Sequence, residues 1–188
     1  MKRCVLVTAC VLCAIVFAEQ RPAQWAQKIE KQGLPNLHQV SPTLYRSAQP
    51  LDDCGQSIAE LGIRTVVCLR ISETDTMMPK DVGVHYIKLT PLGMSDKDII
   101  RVLSILANPP GGAPCLVHCQ HGADRTGVIC AAYRVCVQGW TKEAAIDEMR
   151  NGGFGFHRIL THLPAVVRKM NVEAIRKAIF KRQDNPVK

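Results

Sequence analysis

Val117-His118-Cys119-Gln120-His121-Gly122-Ala123-Asp124-Arg125-Thr126-Gly127 (VHCQHGADRTG) sets a cysteine just after a short apolar run, with a helical pattern opening at Thr126. Strand, tight loop and helix in that order make the turn of a βα unit. In open α/β sheets, ligands bind beyond the carboxyl ends of the strands, where such turns lie. The stretch also crowds two histidines, an aspartate and an arginine around Cys119. Four fates are open to this cysteine: metal ligand, disulfide half, packed core thiol or nucleophile.

The flanking sequence repeats the alternation. Ile63 to Leu69 (IRTVVCL) is nearly continuous apolar and β-branched, as in a buried parallel strand. Val84 to Leu89 alternates and predicts another strand, and Cys115 to His118 a short apolar one. Leu37 to Tyr45, around Ser41-Pro42, predicts an edge strand with a turn. Helical spacing covers Asp52 to Leu61, Ser95 to about Ala107, Thr126 to Val137, Lys142 to Arg150 behind a Thr141 cap, and one long helix from His162 to Lys181. Ser95 and Asp98 have capping-box spacing. Gln20 to Gln32 predicts a short amphipathic helix or an ordered arm. The fold expected is α/β, a central mostly parallel sheet flanked by helices, with a helical C-terminal half.

At 188 residues the chain suffices for one domain with a sizeable core. Lys2 and Arg3 precede an apolar run from Cys4 to Ala18, with small residues before Glu19. That is the pattern of a secretory signal, too short to span a bilayer comfortably. The expected division is 1–18 signal peptide, 19–36 N-terminal arm, 37–181 folded domain and 182–188 tail, with the protein exported, to the periplasm in a bacterial setting, or membrane-anchored if the signal stays on. The net charge of +8 would fall to about +6 without the signal. A basic balance suits an anionic, phosphorylated substrate and admits peripheral membrane contact. There is no Lys/Arg block and little aromatic interleaving, so nucleic acid is not an expected partner.

Six cysteines follow the signal: Cys54, Cys68, Cys115, Cys119, Cys130 and Cys136. Cys115 and Cys119 lie about 13 Å apart on one extended strand, beyond the roughly 7 Å limit for a bridge. Cys130 and Cys136 stand about 9 Å apart along one helix. Local disulfides are therefore disfavoured, and Cys68, Cys115 and Cys130 suit buried apolar positions. His118, Cys119 and His121 match no closed zinc spacing. A redox protein using six thiols is a further class to exclude.

As a nucleophile, Cys119 has what it needs nearby. The positive end of the following helix favours a thiolate. Successive backbone N–H groups of Gln120, His121, Gly122, Ala123, Asp124 and Arg125 can line an anion cradle. Gly122 permits the close approach such a loop requires. The planar fork of Arg125 matches two oxygens of a tetrahedral phosphate. The Thr126 hydroxyl can reach the thiolate, while His118 faces away and orders the loop.

Cys119-x5-Arg125-Thr126-Gly127, preceded by His118, resembles the signature of the cysteine-dependent protein tyrosine and dual-specificity phosphatases. Leu44-Tyr45-Arg46-Ser47-Ala48-Gln49-Pro50 and Asn36-Leu37-His38-Gln39-Val40 look like the small exported bacterial members. The resemblance covers roughly Leu34 to Met170. It implies the compact dual-specificity phosphatase fold, no cofactor, no metal, and hydrolysis of phosphotyrosine or phosphoserine/threonine through a phospho-cysteine, in a chain expected to be monomeric. It also implies a proton donor from the loop Thr90 to Asp96, which makes Asp96 the candidate acid. Asp124 is a second candidate, placed like the Asp-Arg-Thr of myotubularin-type lipid phosphatases, which keeps a phosphoinositide substrate open. Both aspartates have structural readings, as a first-turn acid and a loop brace. Arg46 is read as bracing the fold. A phosphate-binding module without catalysis is the alternative of another class.

Overall fold

The computed structural model describes residues 21–72, 77–90 and 93–181. The signal expected at 1–18 and the tail at 182–188 lie outside them. Six strands form one sheet: β1 (Gln27–Lys28), β2 (His38–Ser41), β3 (Leu44–Ser47), β4 (Thr65–Cys68), β5 (Gly83–Tyr86) and β6 (Cys115–His118). Their order across the sheet is β1-β2-β3-β6-β4-β5. The β1–β2 and β2–β3 pairs are antiparallel, while β3, β6, β4 and β5 make a parallel block. The helices are α1 (Gly55–Glu60), α2 (Asp96–Leu106), α3 (Asp124–Cys136), α4 (Lys142–Asn151), α5 (His162–Lys169) and α6 (Val172–Phe180).

Side chains alternate across a strand, so the two faces of the sheet bury different partners. Leu44, Val67, Cys115 and Val117 pack with the apolar sides of α2 to α6. Tyr45, Val66 and Leu116 pack instead with Ile58 of α1 and with Leu34 and Leu37 of the N-terminal segment. The central strand β6 (CLVH) is buried throughout and hydrogen-bonded on both edges. Every residue of α3 except Arg125 is also buried. A helix sunk this deeply needs apolar residues nearly all round, which Gly127 to Cys136 supplies except at Arg134, whose buried guanidinium is paired with Glu148.

The structure settles two local readings and changes a third. The turn expected near Ser41-Pro42 in Leu37 to Tyr45 joins two strands of a hairpin, β2 and β3. The chain reverses at Pro42-Thr43, and β3 lies inside the sheet. Of the two readings of the N-terminal segment, the described residues from Arg21 to Gln32 form the ordered arm, with β1 in it, rather than a helix. Its Ala26 is buried, and the Ala26 N–H donates to Glu148 Oε1 at 2.6 Å. The long C-terminal helix is two helices. Met170 turns to an extended ψ of 140°, and the Asn171 side chain caps α6 by accepting from the Ala174 N–H at 3.0 Å. Lys142 Nζ takes the carbonyls of Arg168 and Met170, at 2.7 and 2.9 Å, so the break leaves these two carbonyls bonded.

Candidate active site

The loop from Cys119 to Ala123 joins the carboxyl end of β6 to the N-terminus of α3. Its shape is imposed from behind. Gly122 adopts φ +67°, and a Cβ there would sit 2.3 Å from the Ser47 carbonyl oxygen. Only glycine lets the loop lie this close to the end of β3. Arg46, fully buried on β3, donates Nη2 to the Gly122 carbonyl at 2.7 Å. Its guanidinium also stacks 3.7 Å from the Phe154 ring centroid. The Gln49 N–H holds the Gln120 carbonyl at 3.1 Å. Asn36, in a left-handed conformation with φ 54°, donates Nδ2 to the carbonyls of His121 and Phe154, each at 2.9 Å. One amide thus clamps the loop to the segment that follows α4.

A cavity of about 440 Å³ opens above this loop. Cys119, Gln120, His121, Asp124 and Arg125 line it, with Arg70 and His157 among the facing residues. Cys119 is 2 % exposed, at its floor. Arg125 is anchored by Nη1 to the carbonyls of Leu69 and Leu89, at 3.2 and 3.4 Å, which fixes the guanidinium at the cavity wall. The structure thus brings together the cysteine and arginine that the sequence separates by five residues. Gly122 and Ala123 sit behind the lining. His118 is fully buried, and its Nδ1 lies 3.4 Å from the Cys119 carbonyl. Thr126 is also fully buried, but its hydroxyl has no hydrogen-bond partner among the described residues, so the contact expected with the Cys119 sulfur is not formed.

The two aspartates separate. Asp96 opens α2 behind the Ser95–Asp98 capping box. Its Oδ2 accepts from the Asn171 N–H at 3.1 Å, and it lines a different cavity with Met94, His162 and Met170. The expectation that Asp96 serves as the acid does not fit this position. Its carboxylate is turned to the α5–α6 joint, where it meets an N-terminal N–H of α6. Asp124 does line the Cys119 cavity, and it is the carboxylate among the described lining residues. His157 grips both of its oxygens: the backbone N–H lies 3.0 Å from Oδ1 and the ring Nδ1 2.7 Å from Oδ2. The sequence carries no signal that singles out His157. It lies 33 residues from Asp124, past a glycine-rich turn, and only the closed fold makes them neighbours.

The six described cysteines form no disulfide. Burial pushes the thiols of Cys115 and Cys136 up to about 11, the first held back by a hydrogen bond with Thr65. Burial raises Cys130 as well. These three thiols are held neutral and inert by their surroundings.

Comparison with known proteins agrees with this geometry. Residues 34–160 match the tyrosine phosphatase family. The dual specificity protein phosphatase TpbA of Pseudomonas aeruginosa is 35 % identical over 171 residues, 90 % of this chain and 77 % of TpbA. The crystal structure of P. aeruginosa TpbA superposes with a TM-score of 0.76, covering 85 % of this chain and 99 % of that one. A cysteine-to-serine variant of TpbA in complex with pTyr gives 0.75 at 34 % identity, over 85 % and 98 % of the two chains. The catalytic core of the S. cerevisiae PP-IP phosphatase SIW14, 21 % identical with a TM-score of 0.66 over 81 % and 96 %, shares the fold.

Proposed function

The chain belongs to the tyrosine phosphatase family, and we propose that it hydrolyses phosphomonoesters of protein side chains, phosphotyrosine first, through a phospho-cysteine at Cys119. One observation carries the reading. Cys119 lies at the floor of a cavity walled by Arg125, at the N-terminus of a buried helix. That placement unites a cysteine sulfur, a fixed guanidinium and converging N–H groups around one anion. TpbA, whose cysteine-to-serine variant was solved with pTyr, supports phosphotyrosine as the first substrate class.

The reaction runs in two displacements. The Cys119 sulfur attacks phosphorus, an S–P bond forms, and the bond to the leaving oxygen breaks. Arg125 and the loop N–H groups from Gln120 to Arg125 hold the three equatorial oxygens as charge develops on them. The departing oxygen takes a proton, and Asp124, in place of Asp96, is the donor on this reading. His157 orients its carboxylate through both oxygens. Water then attacks phosphorus, the S–P bond breaks, and inorganic phosphate and the Cys119 thiolate are released; Asp124 takes the proton that water loses. His118 and Thr126, both fully buried, support the loop from beneath. Export through residues 1–18, with a periplasmic site of action, belongs to the same proposal.

The test is a panel of phosphotyrosine peptides, phosphoserine peptides and phosphoinositides, assayed with reductant. The account expects phosphotyrosine to give the highest kcat/KM. Preference for a phosphoinositide would transfer the function to lipid headgroups with the same chemistry. No turnover of any member would reduce the site to a phosphate-binding module.

A further inference from the structure

We infer that His121, Asp124 and His157 form a binding site for a divalent transition metal ion of the zinc type, one whose occupancy arrests the phosphatase reaction proposed above. One ligand atom from each side chain lies within 4.8 Å of the other two. His157 Nδ1 and Asp124 Oδ2 are already 2.7 Å apart, and the His121 and His157 rings stand 5.4 Å apart at 61°. Zinc bonds of about 2.0–2.2 Å in a tetrahedron place neighbouring ligand atoms roughly 3.3 Å apart. Small rotations of the two exposed imidazoles reach that spacing around the largely buried carboxylate. Imidazole and carboxylate together suit zinc, and water completes the fourth position.

The scaffold for this set is prebuilt. The Asn36 amide holds the carbonyls of His121 and Phe154, so the two backbone segments that supply the ligands cannot drift apart. The His157 N–H occupies Asp124 Oδ1 and leaves Oδ2 aimed at the Nδ1 of the same residue. An ion entering there replaces a proton between Nδ1 and Oδ2, and that proton passes to solvent. Hydrogen bonds to the remaining atoms of the ligating groups fix ligand orientation in metal sites in this way. The consequence follows from position. The ion would engage the Asp124 carboxylate beside Cys119, in the one cavity they share, and the leaving oxygen would lose its proton source.

The experiment uses the full chain carrying Cys119→Ser, because a thiolate binds zinc by itself. Zn²⁺ is titrated calorimetrically, and Co²⁺ by its visible absorption. One equivalent per chain is expected, with binding lost in His121→Ala and, separately, in His157→Gln. The His121 side chain is exposed, so His121→Ala should keep the fold; an unchanged near-ultraviolet circular dichroism spectrum checks that. With Cys119 intact, Zn²⁺ should inhibit aryl phosphate hydrolysis, EDTA should restore it, and His121→Ala should blunt the inhibition. Absence of binding to Cys119→Ser, or undiminished binding in both histidine variants, overturns the site. Because Cys119→Ser lacks the proposed nucleophile, this binding readout does not depend on whether the chain is a phosphatase.

Discussion

Arg46 and Gly122, 76 residues apart in sequence, meet at 2.7 Å, where a buried guanidinium holds the loop carbonyl from behind. The contact exists because Gly122 at φ +67° lets the backbone lie against Ser47. Gly122→Ala forces its Cβ to within 2.3 Å of the Ser47 oxygen, so the loop must move. Misplacing a catalytic group by about 1 Å can cost roughly 100-fold in rate. A fall of about that size in kcat/KM for an aryl phosphate is expected. Activity within a few-fold of wild type would show that the loop tolerates displacement.

Asp96 and Asp124 predict opposite outcomes. Asp96→Asn removes a carboxylate that meets Asn171 and should leave turnover near wild type. Asp124→Asn should slow hydrolysis of alkyl and unactivated aryl phosphates by about 100- to 10,000-fold. Esters with good leaving groups need little protonation and should be slowed much less. Measuring kcat against leaving-group pKa in both variants separates the two residues.

Arg134 and Glu148 form a buried ion pair, with Nε–Oε2 at 2.8 Å and Nη2–Oε1 at 2.6 Å. Glu148 Oε1 also holds the Ala26 N–H, tying the N-terminal segment to α3 and α4. Glu148→Ala strands a buried guanidinium and should cost about 3–5 kcal/mol in urea unfolding. A loss below about 1 kcal/mol would mean the pair is replaceable by solvent.

His38 gives the stability a pH dependence. Burial, chiefly, pushes its pKa from 6.5 down to about 4; Arg46 and other cations act in the same direction, and the Asn36 carbonyl pulls the other way. Between those values the unfolded chain holds the proton and the folded one does not, so stability rises with pH. The contribution is full above pH 6.5, falls as the pH drops to 4, and is flat below; the whole span is worth about 3 kcal/mol. The stability gap between wild type and His38→Gln should therefore narrow from neutral pH to pH 4. A constant gap would contradict the buried, neutral imidazole.

The sequence makes some parts of this molecule readable and hides others for physical reasons. β6, its loop and α3 were legible because a fully buried strand and helix demand continuous apolar runs, and the loop chemistry sits in contiguous residues. The caps at Ser95 and Thr141 were legible because each bond closes within three residues. The turn near Ser41-Pro42 was legible, but the interior place of β3 was not, because four-residue strands are too short to show a period. The break at Met170 has no Gly or Pro to mark it; Lys142 and Asp96 approach it from elsewhere in the chain. Asp96 meets the Asn171 N–H and lines another cavity than Cys119 does, a placement set by the α5–α6 joint far along the chain. His157 reaches the cavity only through the fold.

The central claim is that the Cys119 sulfur is the nucleophile. Steady-state hydrolysis of p-nitrophenyl phosphate by reduced wild-type protein and by Cys119→Ser, matched for fold by circular dichroism, tests it most directly. The account predicts turnover by the wild type and none above background in the variant. Wild-type turnover by Cys119→Ser would contradict it.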